Sequence, residues 1–349
     1  MSETSESSSP HQRRPRYRGK NPRRFEEKYK ERDPARYSAT VAQVIAAGKT
    51  PAGSHRPVMV EEILAALAPQ PGEVAVDCTL GYGGHAEAIL ARLQPGGRLL
   101  GLDADPIELP KTIARLCSLG LAAGSFSAER TNFAGLPQAL SRAGLAGADI
   151  VLADLGVSSM QLDDPARGFS AKHDGPLDLR MNPQRGQPAA LFLQNIHCDK
   201  LSRLLTENAD EPHAATLAAA LAGRLFPGTG ALRAAIRASL PRLDKAAVDL
   251  AVRRVFQALR IAVNDEFSAL DTFLRHLPAC LLPGGRAAIL TFHSGEDRRV
   301  KKAFAAGLQD GSYARIATDV VRPSASERHS NPRSSSAKMR WAQRGHEAT

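Results

Sequence analysis

A short apolar segment, a glycine-rich loop and a helical segment follow one another between residues 73 and 93. The apolar segment, Glu73–Cys78, predicts a buried strand. The loop Gly81-Tyr82-Gly83-Gly84 lets the backbone approach a ligand closely because glycine has no Cβ atom, and the following helix presents unpaired N–H groups. This unit predicts an open α/β sheet that binds a ligand at the carboxyl end of its first strand.

Strand and helix signals continue to alternate beyond this unit. Further strands are predicted at 98–102, 121–125 and 148–153, with helices at 85–93, 107–119 and 133–143. Strands separated by helices of this length form a parallel sheet with both faces covered. A fifth strand is predicted at 286–292, after a long helix that runs from near Val255 towards Leu277.

The alternation is interrupted after residue 159. Residues 160–190 have the Asp, Gly, Pro and Arg content of loops, and the Ala- and Leu-rich segment after them predicts several helices but no strand. We therefore divide the chain into a basic arm, a first part of the sheet domain, a helical insertion, a second part of the sheet domain and a basic C-terminal tail, over residues 1–54, 55–159, 160–254, 255–320 and 321–349.

Positive charge is concentrated at the two ends of the chain. Of the net charge of +10, residues 1–54 contribute +6 (twelve Lys and Arg against six Asp and Glu) and residues 321–349 contribute +4 (six against two). Basic arms on a neutral body indicate a polyanionic partner such as nucleic acid, although the same charge could serve solubility alone. Residues 1–37 contain few aliphatic side chains and are predicted to be disordered.

Several other classes of protein are disfavoured. No apolar run approaches the roughly 18 residues that a membrane span needs, and no secretory signal is recognised, so we expect a cytoplasmic protein. The four cysteines are too scattered for a zinc site or a disulfide framework, and no metal site is predicted. These features do not decide the oligomeric state and leave a homodimer open.

Two carboxylates distinguish between the ligands that a glycine loop can bind. By itself the loop also satisfies the dinucleotide pattern G-x-G-x-x-A, ending at Ala86. Asp77, however, lies inside the first strand, where it could pair with an ammonium group but would repel a pyrophosphate. Asp103 follows at the end of the second strand, where it could accept hydrogen bonds from ribose hydroxyls. Together they favour S-adenosylmethionine over NAD.

Motifs spread over most of the chain then carry a resemblance to a known family. They are HRPVMVEE, DCTLGYGGHA, GLDADP, DLGVSSMQLDD, RGFS, GPLDLRMNP, FQALRIAVNDE, PGGRAAILTFHSGEDRRVK and NPRSSSAKMR. Between about His55 and Arg340 the chain resembles the bacterial RsmH (MraW) family, and the N-terminal arm lies outside the resemblance. The resemblance implies the Rossmann-like α/β sheet of class I S-adenosylmethionine-dependent methyltransferases, with an inserted all-helical domain that recognises RNA.

The resemblance also implies an activity and a set of cofactor contacts. The family methylates the N4 amine of a cytidine in 16S rRNA, at the decoding centre (P-site region) of the small ribosomal subunit. Its motifs place cofactor contacts at Gly83, Gly84, His85, Asp103, Phe133, Asp154 and Gln161. Asp77 is added to this set because of its position inside the first strand. Phe133 would lie against adenine, Asp154 beside the sulfonium, and Gln161 at the methionine end.

The sequence indicates the binding site of the methyl acceptor less clearly than that of the cofactor. Other amino-methyltransferases carry an acidic or Asn residue, two prolines and an aromatic residue after the fourth strand, whereas this chain has Asp154-Leu155-Gly156-Val157-Ser158-Ser159. Asp154 and Ser158 are the candidates for positioning the amine, and the aromatic surface for the base must come from elsewhere. Arg167, Arg180 and Arg185 are candidates for phosphate contacts, and His293–Asp297 predicts a hydrogen-bonded loop near the site.

Three alternatives remain open at this stage. The first is a methyltransferase that acts on a protein or a small molecule. The second is an NAD-dependent dehydrogenase that uses the same loop. The third is an RNA-binding ribosome assembly factor with a vestigial cofactor site.

The basic arm leads to a prediction about salt dependence. Deletion of residues 1–50 is expected to weaken binding to the small ribosomal subunit and to flatten its dependence on salt, because fewer counterions are released from phosphate. Binding measured over a series of salt concentrations checks this. An unchanged slope in the deletion variant would contradict it.

Overall fold

The computed structural model describes residues 57–346, in which seven strands form one sheet in the order β3-β2-β1-β4-β5-β7-β6. The strands are β1 Val74–Asp77, β2 Arg98–Asp103, β3 Phe126–Arg130, β4 Ala148–Asp154, β5 Leu281–Thr291, β6 Tyr313–Ile316 and β7 Lys338–Arg344. Strands β1 to β5 pair in parallel, and β7 is antiparallel to both of its neighbours.

Thirteen α-helices lie within the described range; the first precedes β1, and the next three separate the parallel strands β1 to β4. These four are α1 Val60–Leu67, α2 Gly84–Leu93, α3 Leu109–Cys117 and α4 Leu136–Arg142. The others are α5 Ser159–Asp163, α6 Ala189–Asn195, α7 Cys198–Ala209, α8 Ala214–Leu221, α9 Thr229–Ser239, α10 Lys245–Asn264, α11 Glu266–Cys280, α12 Ser294–Gln309 and α13 Ala325–Ser330. The predicted fold class, a Rossmann-like sheet of the class I methyltransferase type with a helical insertion, is confirmed.

Three hydrophobic clusters account for the packing. One face of the sheet is covered by a cluster that includes Leu136, Phe273 and Phe304, and the other by a cluster that includes Ile63 and Ile89. The third cluster lies between Phe169 and Leu259, so it spans the predicted helical insertion and the part of α10 that continues beyond it. The insertion therefore has an apolar core of its own, which also contacts Val157 and Leu162 after β4.

Several predicted elements differ from the observed ones. The third strand lies at Phe126–Arg130 and not at residues 121–125, because it is a half-exposed edge strand whose polar sequence gives no continuous apolar run. The single helix expected from near Val255 to Leu277 is two helices, α10 and α11, separated at Asp265, which has a φ of 51°. Residues 160–190, expected to be loop, include most of the short helix α5.

The predicted C-terminal tail is part of the sheet. Strand β7 pairs along β5 from Arg286 opposite Gln343 to Thr291 opposite Lys338. Two of the tail's cations also pair with one body carboxylate, since Lys338 lies 3.2 Å and Arg340 lies 2.7 Å from Asp297. The alternation of polar and apolar residues in β7 is only a weak signal for a strand. Asp297 neutralises part of the positive charge of this strand. The predicted disordered arm at residues 1–54 lies outside the described residues.

Within residues 57–346 we find no helix that combines the length and the apolar character needed to cross a lipid bilayer. Helix α10 runs through residue 254, where the end of the insertion was predicted, and its buried residues from Val248 to Leu259 belong to the core of the insertion, so this packing continues beyond the predicted boundary.

The separate core of the insertion leads to a stability prediction. Leu217 is fully buried in α8, and Leu225, which follows that helix, is 54% exposed. Leu217→Ala is expected to lower the free energy of unfolding by about 2–5 kcal/mol, because it removes buried methyl groups and leaves a cavity. Leu225→Ala, the matched control, is expected to change it little. Denaturant unfolding of both variants checks this, and equal effects would contradict it.

Candidate active site

Three aspartates end three neighbouring strands of the sheet. Asp77, Asp103 and Asp154 are the last residues of β1, β2 and β4, which lie side by side in the order β2-β1-β4. The strand order reverses between β1 and β4, and open α/β sheets bind ligands in the crevice at such a point. The topology therefore brings together carboxylates that are up to 77 positions apart in the chain.

The glycine loop lies against this edge and is fixed from the side of α3. Gly81 donates its backbone N–H to Asp103 Oδ2 over 2.7 Å, and Arg115 donates to the Tyr82 carbonyl over 2.8 Å. Gly83 has a φ of 81°, and a Cβ atom there would lie 3.0 Å from the side chains of both Leu116 and Thr112. The loop therefore requires glycine at position 83 for its conformation as well as for space.

Gly84 and His85 begin helix α2 directly after the loop. A Cβ atom at Gly84 would lie 2.9 Å from Pro57, so glycine is required here as well. His85 is buried, and its Nε2 donates to the Val58 carbonyl over 2.9 Å. Its Nδ1 faces Asp154 Oδ2 at 3.7 Å. Burial lowers the pKa of His85, although the charge of Asp77 opposes this.

The three aspartates are held mainly by backbone groups and by one threonine. Asp77 accepts the Thr79 N–H over 3.1 Å, and the Asp154 N–H donates to the Thr79 hydroxyl over 2.6 Å. Burial raises the pKa of both Asp77 and Asp103 to about 6. Burial and the neighbouring charge of Glu296 raise the pKa of Asp154 to about 7.

This edge of the sheet lacks compensating positive charge. No Lys or Arg within residues 57–346 makes an ion pair with Asp77, Asp103 or Asp154, and Asp154 Oδ1 is buried without a hydrogen-bond partner in that range. Carboxylates that are buried, as Asp77 is, or partly buried, as Asp103 and Asp154 are, favour a cationic ligand and repel an anionic one. S-adenosylmethionine carries a sulfonium and an ammonium group, so the residues fit it, whereas a pyrophosphate would face the same carboxylates unfavourably.

The two remaining predicted cofactor residues, Phe133 and Gln161, lie in different surroundings. Phe133 follows β3, remains half-buried and packs edge-on against Phe273 with ring centroids 5.6 Å apart. Gln161 is buried, and its Nε2 donates to Asp105 Oδ2 over 2.8 Å. Gln161 thus lies near the end of β2, where a ribose was expected, and contacts Asp105 there. Its predicted contact with the methionine end has no support in this arrangement.

Ser158 has a structural task at the start of helix α5. Its hydroxyl accepts the Gln161 N–H over 3.3 Å, and its own N–H donates to Gln161 Oε1 over 3.0 Å. This reciprocal pair is a capping box, which satisfies unpaired donors at a helix N-terminus. Ser158 therefore orders the loop after Asp154, which we name the acceptor loop (residues 154–163).

Residues at the end of β5 complete this edge, and sequence reasoning identified them only in part. His293 and Glu296 form a second capping box at the start of α12, so the H-x-x-E spacing has a structural reason. Phe292, between β5 and this box, approaches the acceptor loop, since a Cβ atom at Gly156 would lie 3.8 Å from its ring. Phe292 follows an apolar strand directly and lies next to the loop that follows β4. This position is the signal by which Phe292 could have been identified.

Two of the three arginines expected to contact phosphate have partners within the protein. Arg167 is 8% exposed and lies 2.9 Å from Asp105 Oδ2. Arg180 binds Asp178 through two nitrogens at 2.7 Å each. Arg185 is exposed. The expectation for Arg167 is wrong, because the sequence did not reveal that its guanidinium is enclosed.

Comparison with known proteins gives a consistent result over nearly the whole chain. The model of the MraW methylase family matches residues 52–345. The chain is 48% identical to ribosomal RNA small subunit methyltransferase H 1 of Lachnoclostridium phytofermentans, over 95% of this chain and 93% of that protein. It is also 48% identical to the protein of the same name from Agathobacter rectalis, over 96% and 98%.

A relative with lower identity aligns with a smaller share of this chain. Ribosomal RNA small subunit methyltransferase H of Symbiobacterium thermophilum is 40% identical over 82% of this chain and 95% of that protein. An alignment that covers 95% of the chain must include most of residues 1–54. The family model, which begins at residue 52, agrees with the expectation that the basic arm lies outside the family resemblance, whereas the alignments with the relatives at 48% identity extend into the arm.

The family match and these identities, over almost the full length of both chains, establish that the chain belongs to the MraW methylase family.

Proposed function

We propose that this protein transfers the methyl group of S-adenosylmethionine to the N4 amine of a cytidine in 16S rRNA, at the decoding centre of the small ribosomal subunit. The observation that carries the proposal is the group of three aspartates, Asp77 buried and Asp103 and Asp154 partly buried, that form no ion pair with Lys or Arg in the described residues, in a chain of the MraW methylase family. The names of the relatives, which are ribosomal RNA small subunit methyltransferases, support the class of acceptor. The proposal places the protein in the cytoplasm, where ribosomal subunits are found.

The residues at the sheet edge would hold the cofactor in distinct ways. Asp103 would accept the ribose hydroxyls, Phe133 would contact the adenine, and Asp77 would pair with the ammonium group. Gly83 and Gly84 would allow close approach of the backbone, with His85 beneath them. When bound, S-adenosylmethionine supplies an electrophilic methyl group on a positively charged sulfur.

The chain's main task in the reaction is to hold the acceptor nitrogen in line with that methyl group. Orientation of this kind can lower a barrier by about 7–11 kcal/mol. The N4 lone pair of cytosine is delocalised into the ring, so an acceptor beside the amine is needed to turn it. Asp154 Oδ1 has no partner among residues 57–346 and would accept a hydrogen bond from the amine. With a pKa raised to about 7, Asp154 could also take up the proton that the nitrogen loses.

The base also needs a surface on which to stack, because its N4 edge is accessible only when it is unpaired. The acceptor loop contains no aromatic residue, and Phe292 lies beside Gly156 in that loop. We infer that Phe292 contacts the cytosine ring, while Ser158 keeps the acceptor loop in register through its capping box. The helical insertion, whose core contacts Val157 in the loop, would face the RNA.

The proposal is tested by mass spectrometry of 16S rRNA nucleosides from cells that lack the protein. N4-methylated cytidine should fall to background and should return when the wild-type gene is restored. Persistence of the nucleoside at its full level would exclude the proposed acceptor. Methylation of free cytidine or of a protein, instead of small subunits, would favour the alternative methyltransferases.

Asp154 provides a second test. Asp154→Asn keeps the size of the side chain but removes its charge, and kcat on small subunits is expected to fall by about 10²–10³, as for the loss of one electrostatic contact to a transition state. S-adenosylhomocysteine should still bind, because Asp103 and Asp77 are unchanged. Asp249→Asn is the matched control, since Asp249 is an exposed carboxylate in α10 that pairs with Arg237. Full activity of Asp154→Asn would contradict the role given to Asp154, whereas cellular roles that are all unchanged by Asp154→Ala would favour the assembly factor with a vestigial cofactor site.

The raised pKa values lead to a prediction about pH. The three aspartates have pKa values raised to about 6, 6 and 7, and a cation bound beside them favours their ionised forms. Binding of S-adenosylmethionine should therefore release protons around the pKa values of about 6 and about 7, and its affinity should fall as the pH decreases through this range. Titration calorimetry in two buffers of different ionisation enthalpy measures the proton release. S-adenosylhomocysteine, which lacks the sulfonium charge, should show a weaker dependence, and equal slopes for both ligands would contradict the assignment.

A further inference from the structure

A buried ion pair lies just behind the cofactor edge and takes no part in the reaction proposed above. Arg167 and Asp105 are 8% and 2% exposed, and Arg167 Nη1 lies 2.9 Å from Asp105 Oδ2. Removing two charges from water is costly unless hydrogen bonds satisfy their remaining donors and acceptors. The partners that satisfy these two side chains connect the cofactor side of the molecule to the acceptor side.

Asp105 makes the connection on the cofactor side. Its backbone N–H donates to Asp103 Oδ1 over 2.8 Å, so it orients the carboxylate expected to hold the ribose. Its own Oδ1 accepts the Ile107 N–H over 2.8 Å and thereby fixes the turn before α3. Its Oδ2 is shared between Arg167 and Gln161, and Gln161 completes the capping box of the acceptor loop. Asp105 therefore contacts Asp103 through its backbone N–H and the acceptor loop through its carboxylate.

Arg167 makes the connection on the other side. Its Nη2 donates to the carbonyls of Arg180 and Met181, over 3.2 and 2.8 Å. The backbone at Leu179, just before them, is left-handed with a φ of 64°, which is costly for a bulky residue and needs support from its surroundings. The segment Leu179–Met181 is thus held in a strained conformation by a buried side chain from outside it.

Asn264 holds the same segment from the opposite side. Its Oδ1 accepts the Met181 N–H over 2.7 Å, and its Nδ2 donates to the Leu179 carbonyl over 2.7 Å. Asn264 is the last residue of α10, next to the left-handed Asp265 that separates α10 from α11. The hydrogen bonds therefore form a continuous chain from the glycine loop, through Asp103, Asp105 and Arg167, to the junction of the helical insertion with the sheet domain.

We propose that Arg167 is a positioning residue, which couples binding of the cofactor at Asp103 to binding of the RNA acceptor at the acceptor loop and the insertion. Cofactor contact with Asp103 restrains Asp105, and Asp105 restrains Gln161 and Arg167 through a single carboxylate. The acceptor then binds a surface that is already ordered. Because coupling between two sites is reciprocal, bound RNA raises the affinity for the cofactor by the same factor. This inference rests on the proposed function, because its second ligand is the small ribosomal subunit.

The test compares two affinities in one titration scheme. The affinity for small subunits from cells lacking the protein is measured with and without saturating S-adenosylhomocysteine, and the ratio of the two values is the coupling factor. For the wild-type protein we expect a factor of about ten, within the usual range for coupled sites. Arg167→Gln alone would leave Asp105 as a buried, unpaired charge, so the variant to use is Arg167→Gln combined with Asp105→Asn, which removes both charges.

The double variant should bind S-adenosylhomocysteine alone and small subunits alone with affinities near those of the wild-type protein, and its coupling factor should fall to about one. Arg237→Gln, which removes an exposed guanidinium from the insertion, is the control and should keep the wild-type factor. A wild-type factor of one, an unchanged factor in the double variant, or loss of S-adenosylhomocysteine binding in that variant would each overturn the coupling role. If wild-type protein methylates small subunits, such a result leaves the proposed function intact. If it does not methylate them, the proposed function fails as well.

Discussion

Asp77, Asp103 and Asp154 repel one another at the carboxyl edge of the sheet, and burial of Asp77 with partial burial of the other two reduces the screening by water. His85 lowers the pKa of Asp77 only in part, and the nearby arginines pair elsewhere: Arg115 on the glycine loop, Arg167 on Asp105 and Arg260 on Glu266. The unfavourable electrostatics of this edge are acceptable only if the fold is stabilised by other means. The two apolar clusters that cover the faces of the sheet provide that stabilisation. A cationic ligand then gains binding energy from the negative potential of the three aspartates, which the rest of the fold holds in place.

The parts of the fold that could be predicted are those whose signal is local. Strand β1 is apolar up to its final Asp, β4 is apolar from Ile150 to Ala153 before its final Asp, and the glycine loop follows β1, so the edge with Asp77 and Asp154 was predictable. Strand β3 has the sequence FSAER, in which burial alternates only weakly, and it was misplaced. Strand β7 lies beside β5 through pairing between residues more than 40 positions apart, which no local pattern reveals.

In the candidate active site, too, the residues that could be predicted are those with a local signal in the sequence. Gly83 and Gly84 could be predicted because their lack of a side chain is itself the signal. The task of Gln161 could not, because it depends on Asp105, 56 positions earlier in the chain. Arg167 illustrates the difficulty most clearly. In sequence it is an arginine in a polar loop, which suggests exposure, but its guanidinium is enclosed by Asp105 and by two carbonyls of a segment whose conformation has no sequence signature.

The position of β7 has a consequence for the order in which the protein can be made. Until residues 338–344 have left the ribosome, β5 has an unpaired edge on the side where β7 will pair, and β6 has no neighbour. An unpaired edge of an apolar strand is a site for association with other chains. The helical insertion, with a core of its own, can collapse earlier during synthesis. A nascent chain of this protein is therefore expected to be most vulnerable to aggregation late in synthesis, when most of its sheet is formed but its last strand is still missing.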